Sequence, residues 1–312
     1  MKTLYYSSFM LLIAGILTAF ILGNHQIKPD VFSPVPFQNL TVTGEIYTRA
    51  MRNMDRLEEE KYHPDRVFLT DEESNGWPGD TEGRTVLALT LDAQVTKRTP
   101  TYLNEILKRF PDHMNDKGYF GVVYNDTICN EQQLASHGWV LRGLCEYYLW
   151  KKDQATLAMI KNVVKNLGLR TAGYHSKYPV DPEKRNHGGT HSGTSTQQQG
   201  NWILSTDTGC DHIFLDGLTQ AYEIVPSPEL EALIEEMIEV FFKIDQVKIK
   251  AQTHATLTAL RALLRWYHVT GRKSLLTSVE EKFNLYKAEG MTENFENYNW
   301  FGRPEWTEPC AV

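Results

Sequence analysis

PSPELEALIEEMIEVFF, residues 226–242, decides the fold. Leu230, Leu233, Ile234, Met237, Ile238, Phe241 and Phe242 recur at three- and four-residue spacing with glutamates between them. That is the pattern of an amphipathic α-helix with one face in a core. Pro226 and Pro228 punctuate its start, and Ser227 is placed to cap it. The same stripe recurs outward in both directions. Ile46, Tyr47, Ala50, Met51, Met54 and Leu57 predict a first helix near 45–60. Further stripes predict helices near 82–97, 101–110, 131–151, 154–168, 211–223, 252–269 and 273–287, nine with that over 229–243, and Gly271 supplies a stop signal.

The connections say how the helices are arranged. Helices one to two, three to four and five to six are joined by long loops, near 61–81, 111–130 and 169–210, whereas most of the others are joined by short ones. In an up-and-down array alternate loops lie on one side, so the long loops are expected to share a face with the closing stretch from Lys287 onward. Loops of that length in a compact domain carry function or are disordered. Residues 187–200 (HGGTHSGTSTQQQG) are poor in apolar side chains and read as a mobile flap or as disordered chain. The expected fold is all-α, an (α/α)6 six-hairpin toroid. Nine helices against the twelve of six hairpins predict a barrel continuing past residue 312, over 45–312 and beyond; a bundle or α-solenoid also fits the periodicity.

Composition bounds the function. The 312 residues are 41% hydrophobic and 23% charged with net charge −7, an ordinary globular balance. The acidic excess argues against a nucleic-acid partner, which needs clustered Lys and Arg. Four scattered cysteines make no disulfide framework, although one bridge fits an exported protein. Export itself is expected. Lys2 precedes the apolar run Phe9–Gly23 and polar Asn24-His25-Gln26 follows, the layout of a signal peptide over 1–25. The destination would be secreted or periplasmic. No A-x-A cleavage site is evident, and residues 4–23 reach about the length of a membrane span, so a signal anchor is the alternative. Pro29, Pro34 and Pro36 mark residues 26–44 as an extended linker. Asn39-Leu-Thr41 and Asn125-Asp-Thr127 are formal glycosylation sequons.

Polar residues gather where the even-numbered helices begin. Helix two opens with Asp80-Thr-Glu82-Gly-Arg84, helix four with Glu131-Gln-Gln-Leu-Ala-Ser-His137-Gly-Trp139, helix six with Asp207-Thr-Gly-Cys-Asp211-His212, and helix eight with Gln252-Thr-His254. With Trp77 and Trp300 they place hydrogen-bonding groups beside flat aromatic rings, which suits a sugar. Each residue alone has a plainer explanation. Asp80 and Asp211 fit helix caps, Arg84 fits a local pair with Asp80 or Glu82, the histidines fit structural roles, and Trp77 and Trp139 fit a core. Their common position at one end of successive helices is what favours a shared cleft.

The closing stretch, Glu293 to Val312, adds sharper chemistry. Glycoside hydrolysis needs a proton donor for the leaving oxygen, and Glu293 is the candidate. Glu308 and Cys310, one residue apart, are candidate ligands for zinc, which needs about four donors. A surface Glu beside a buried thiol is the plainer alternative.

These motifs, in this order, resemble the β-L-arabinofuranosidase family of glycoside hydrolases, family 127 and its relatives, which have an (α/α)6 catalytic barrel. The similarity runs from Pro36-Phe-Gln-Asn-Leu-Thr-Val-Thr-Gly44 to the end of the chain. Gly79-Asp80-Thr-Glu82-Gly-Arg84 and Gly118-Tyr-Phe-Gly121 resemble early barrel motifs, and His137, His212 and His254-Ala-Thr-Leu-Thr-Ala-Leu resemble the family's histidine positions. The resemblance implies that these histidines contact sugar hydroxyls, that Glu293-Asn-Phe carries the acid/base, and that Thr307-Glu308-Pro-Cys310-Ala binds metal. It departs from the family in the spacing from Glu293 to Glu308, in a rival acid at Glu296, and in Gln132-Gln133 where an aromatic is more usual. The family's nucleophilic cysteine pair would fall beyond Val312. An exported retaining hydrolase acting on plant or microbial glycans is therefore expected. The alternatives are a glycan-binding protein without the nucleophile, and a metal-free hydrolase using Glu293 with Asp80 or Asp211.

Overall fold

The computed structural model describes residues 35–68, 76–185 and 192–304. The expected signal segment, Glu308 and Cys310 lie outside them. The described chain is mostly helical: α1 (Gly44–Leu57), α2 (Asp80–Thr96), α3 (Leu103–His113), α4 (Glu131–Lys151), α5 (Gln154–Asn162), α6 (His212–Tyr222), α7 (Pro228–Lys243), α8 (Thr253–Thr270) and α9 (Lys273–Glu289). All nine fall on the stripes read from the sequence. Ser227 caps α7, accepting from the Leu230 amide at 3.2 Å, and Gly271 ends α8 at φ +69° with its amide bonded to Tyr267 O at 2.8 Å. Both positions follow the ordinary rules for helix ends. The all-α expectation needs one correction, a small sheet of β1 (Cys129–Asn130), β2 (Ser195–Gln199) and β3 (Trp202–Ser205) in the order β1-β3-β2. Strand β2 pairs antiparallel to β3 and lies within the stretch expected to be a flap or disordered; residues 186–191 lie outside the described residues. Gln198 pairs with Ile203 and Gln199 with Trp202, and Gly200 at φ +58° makes the turn.

The helices form two ranks. In the inner rank α2 packs on α4, α4 on α6, and α6 on α8. Helices α1, α3, α5, α7 and α9 each back onto an inner neighbour. Burial explains the division. Every residue of α4 from Glu131 to Cys145 is buried, and so is every residue of α6 from His212 to Ala221, as expected of helices covered on all sides. Glycine lets the inner helices approach this closely. A Cβ on Gly138 of α4 would lie 2.5 Å from the Ile213 carbonyl carbon of α6, and one on Gly83 of α2 would lie 2.6 Å from the Trp139 carbonyl carbon. The main core fills the space between the ranks, with Met54, Leu89, Phe110, Leu144, Phe214, Phe241 and Trp266 among its largest members. A second, smaller apolar cluster joins Ala135, Trp139, Cys210, Ile213 and Ala255 to Trp77 and Leu87.

The long loops do meet, as their alternation implied. Strand β1, from the connection before α4, pairs parallel with β3 from the connection before α6. Trp77 Nε1 donates to Gly193 O at 3.2 Å, and the Gln252 amide donates to Thr208 O at 3.0 Å. The closing stretch joins the same group. Gln252 bridges Trp300, and the Thr253 amide donates to Asn299 O at 3.1 Å. The starts of α4 and α8 are thus tied to loops that are distant in sequence.

Candidate functional site

The inner helices present a polar stripe around the second apolar cluster. On α2 it runs through Asp80 and Arg84, on α4 through Trp139, Arg142 and Glu146, on α6 through Asp216 and Gln220, and on α8 through His254, Arg261 and Arg265. These positions recur at three, four or seven residues, so each set lies along one side of its helix. Arg84 Nε donates to Asp80 Oδ2 at 2.8 Å, and its guanidinium lies over the Trp139 ring at 4.3 Å. The His254 ring meets the same indole at 5.6 Å, and the Arg261 guanidinium lies over it at 5.9 Å. Trp139 is thus the point where α2, α4 and α8 converge.

Asp216 anchors the stripe below. It is fully buried and accepts from Arg261 Nη2 and Arg265 Nη1 at 2.6 Å each, with Arg142 Nε at 3.3 Å. Burial alone would raise its pKa, but the three guanidinium groups outweigh that and hold the carboxyl below the ordinary range. Arg142 also donates to Gln220 Oε1 at 2.7 Å, and Gln220 Nε2 to Glu146 Oε1 at 2.8 Å, so one network crosses α4, α6 and α8. These pairs link residues 45 to 78 positions apart, beyond the reach of any local spacing rule.

A second buried network fixes the sheet to α4. Glu131 accepts from Arg185, from the Tyr178 hydroxyl and from the Ser205 amide, while Arg185 donates to Tyr178 Oη at 2.7 Å. Burial works against the charged form of Arg185, but Glu131 and Tyr178 outweigh it and its pKa rises. Next to it, Gln132 Nε2 donates to Ser205 Oγ at 3.2 Å and Gln132 Oε1 accepts from Ser195 Oγ at 2.8 Å. Gln133 Nε2 donates to Phe120 O and Val122 O at 3.1 and 2.9 Å. Gln132 and Gln133 are therefore loop fasteners.

The structure sorts the residues picked from the sequence. Asp80, Trp139 and His254 come together. The helix-capping explanation for Asp80 fails, because Gly79 precedes α2 and no side chain caps it. His137 is elsewhere, in the core. It is fully buried, its Nδ1 faces Gln133 O at 2.7 Å, and its Nε2 accepts from the Phe120 amide at 2.9 Å. Both ring nitrogens are committed to backbone, which fixes the neutral Nδ1–H tautomer and leaves nothing for a sugar. Burial pushes its pKa down to about 4. His212 is also packed away, with Nδ1 at 3.0 Å from Asp211 Oδ1 and its ring against Tyr178 and Phe241. Burial opposes its charged form, but Asp211 outweighs that and the net shift is upward.

Glu293 and its rival Glu296 are exposed, in the turn between Met291 and Asn297, and Glu293 has no hydrogen-bond or ion-pair partner among the described residues. For zinc, no three His, Cys, Asp or Glu side chains converge among the described residues. Cys129, Cys145 and Cys210 are buried thiols whose pKa values burial raises, Cys129 to about 12. None of them resembles a ligand held ready as thiolate. The metal expectation therefore rests on Glu308 and Cys310, outside the described residues.

No protein-family model, curated protein or solved structure matches the chain. What fold and site define together is a mostly helical, two-rank protein with a polar, arginine-lined stripe converging on one buried tryptophan. No helix among the described residues is long and apolar enough to cross a membrane.

Proposed function

We propose that the protein is an exported glycoside hydrolase of the (α/α) toroid type, related to the β-L-arabinofuranosidases, which holds its sugar where α2, α4 and α8 converge. The observation that supports this most is the grouping of Asp80, Arg84 and His254 around Trp139, a set of hydrogen-bonding groups on an apolar wall. Asp80 accepts from a hydroxyl, Arg84 donates to one, and His254 and Trp139 shape the floor. Glu293 lies on the closing stretch that is bridged to α8 through Trp300 and Gln252, and it is the proposed proton donor. Zinc belongs to this proposal only through Glu308 and Cys310, and elemental analysis of the purified protein tests it.

Hydrolysis of a panel of aryl glycosides by the full-length gene product, with Glu293→Gln alongside, tests the assignment. Turnover that drops at least about 100-fold in the variant supports Glu293 as the acid; unchanged turnover removes it from that role. A second reading, a glycan-binding protein without catalysis, is favoured by the exposure of Glu293 and its lack of a partner among the described residues. Sugar binding with no turnover on the panel would select it.

A further inference from the structure

The groups around Trp139 are unusual in what they leave unpaired. Arg84 commits only Nε to Asp80, and its side chain is 41% exposed. Arg261 commits Nε and Nη2 to Asp216 and is 38% exposed. Both therefore offer guanidinium N–H groups beside one indole. Trp139 is 5% exposed and its Nε1–H is buried without a hydrogen-bond partner. Among these groups Asp80 Oδ1, buried and unpartnered, is the acceptor. A buried polar atom left unpaired is destabilising, so a ligand that satisfies these atoms gains by doing so.

We infer that Arg84, Trp139 and Arg261 form a subsite for the carboxylate of an acidic sugar, with Asp80 accepting from one of its hydroxyls. This rests on the proposed sugar-binding reading and names its substrate class. A neutral sugar hydroxyl accepts such donors without charge assistance, whereas a carboxylate takes one guanidinium on each oxygen with full charge assistance. Arg84 is paired with Asp80, while the single carboxylate of Asp216 is shared by Arg142, Arg261 and Arg265, so only part of the positive charge is left over, which suits a singly charged carboxylate better than a doubly charged phosphate. The other charged groups nearby include Arg142 and Glu146 on α4, Glu223 at the end of α6 and Arg265 on α8; Arg142 and Arg265 are both turned onto Asp216. The chain as a whole carries net charge −7, so this arginine set attracts an anion against the general field of the molecule.

The test is calorimetric titration of the full chain with methyl glycosides of glucuronic and galacturonic acid and with the methyl ester of each, which keeps the sugar and removes the charge. At least one acid should bind about tenfold or more tighter than its ester, the yield of one good charge-assisted contact. In Arg84→Gln and in Arg261→Gln that ratio should fall below about threefold, with wild-type circular dichroism as the check on folding. Arg84→Gln alone suffices if losing the Asp216 contact unfolds the Arg261 variant. Equal binding of acid and ester overturns the inference while leaving the sugar site standing. Binding of neither overturns the sugar-binding reading and this inference with it. Acetate or sulfate binding as tightly as the acids would mark a general anion site and overturn the acidic-sugar assignment.

Discussion

Gly138→Ala should destabilise the protein, although helix propensity alone predicts the reverse. In an isolated helix alanine is more favourable than glycine by about 1 kcal/mol. Here the new methyl would lie 2.5 Å from the Ile213 carbonyl carbon, about 1 Å inside ordinary contact distance. The clash is with backbone, so no rotamer change relieves it, and α4 and α6 must part along the same seam where a Cβ on Gly217 would lie 2.8 Å from Gly138 O. Overpacking of this kind costs about 1–3 kcal/mol, and a clash with backbone belongs at the upper end. Subtracting the propensity gain leaves a net loss of about 2 kcal/mol, or roughly 4–8 °C in Tm for a large domain. Thermal and urea unfolding followed by circular dichroism measure it. Gly168→Ala is the control, since its Cβ would come no nearer than 3.3 Å to the Leu218 Cδ2 tip and would meet the Phe214 ring at ordinary contact distance, and it should change stability by less than about 1 kcal/mol. A Gly138→Ala protein that melts at or above wild type would refute the close packing of α4 on α6.

The remaining predictions concern buried charge and protonation. Asp216→Asn leaves Arg142, Arg261 and Arg265 without their carboxylate and should cost about 3–5 kcal/mol in urea unfolding; a change under about 1 kcal/mol would show that the network contributes little. Because the folded pKa of Asp216 is depressed, its contribution is present above the ordinary carboxylate pKa of 3.8 and is lost as pH falls through the folded value, so the variant should also show a flatter acid limb. His137 is buried neutral with a folded pKa of about 4 against 6.5, so the unfolded chain takes up the proton first and stability falls as pH drops across that window, by about 1.4 kcal/mol per unit. His137→Gln should remove one proton's worth of that slope in urea midpoints compared across the window; an unchanged slope would contradict the neutral buried imidazole. Arg185→Met strands Glu131 in the interior and should cost about 3–5 kcal/mol, read from the same titrations, with wild-type stability the contrary result.

The helices were legible because burial of one face imposes a period on the chain, and the α7 stripe from Leu230 to Phe241 shows it without any partner in view. Loop length went further, since alternate long connections put the polar starts of α2, α4 and α8 on one face. What the sequence did not show is which way a given side chain turns. His137 and Trp139 are two residues apart on α4, yet one is bonded to backbone in the core and the other faces the polar stripe. Near the start of a helix covered on all sides, residue type alone does not separate those outcomes. The arginines were missed for a related reason. Arg142, Arg261 and Arg265 read as ordinary helix charges until Asp216, on a different helix, brings them together. The sheet was missed because STQQQ lacks apolar alternation; its strand is held by hydrogen bonds to β3 and by Gln132 rather than by a greasy face.

The most direct test of the central claim is photoaffinity labelling of the full chain with a panel of diazirine-bearing methyl glycosides, mapped by mass spectrometry. Labels on Asp80–Arg84, Trp139 and the segment around His254 to Arg261, competed away by the free glycoside, are the predicted result. Labelling confined to α3, α5 or α7, or labelling that free sugar does not compete, would contradict a sugar site at the convergence of α2, α4 and α8.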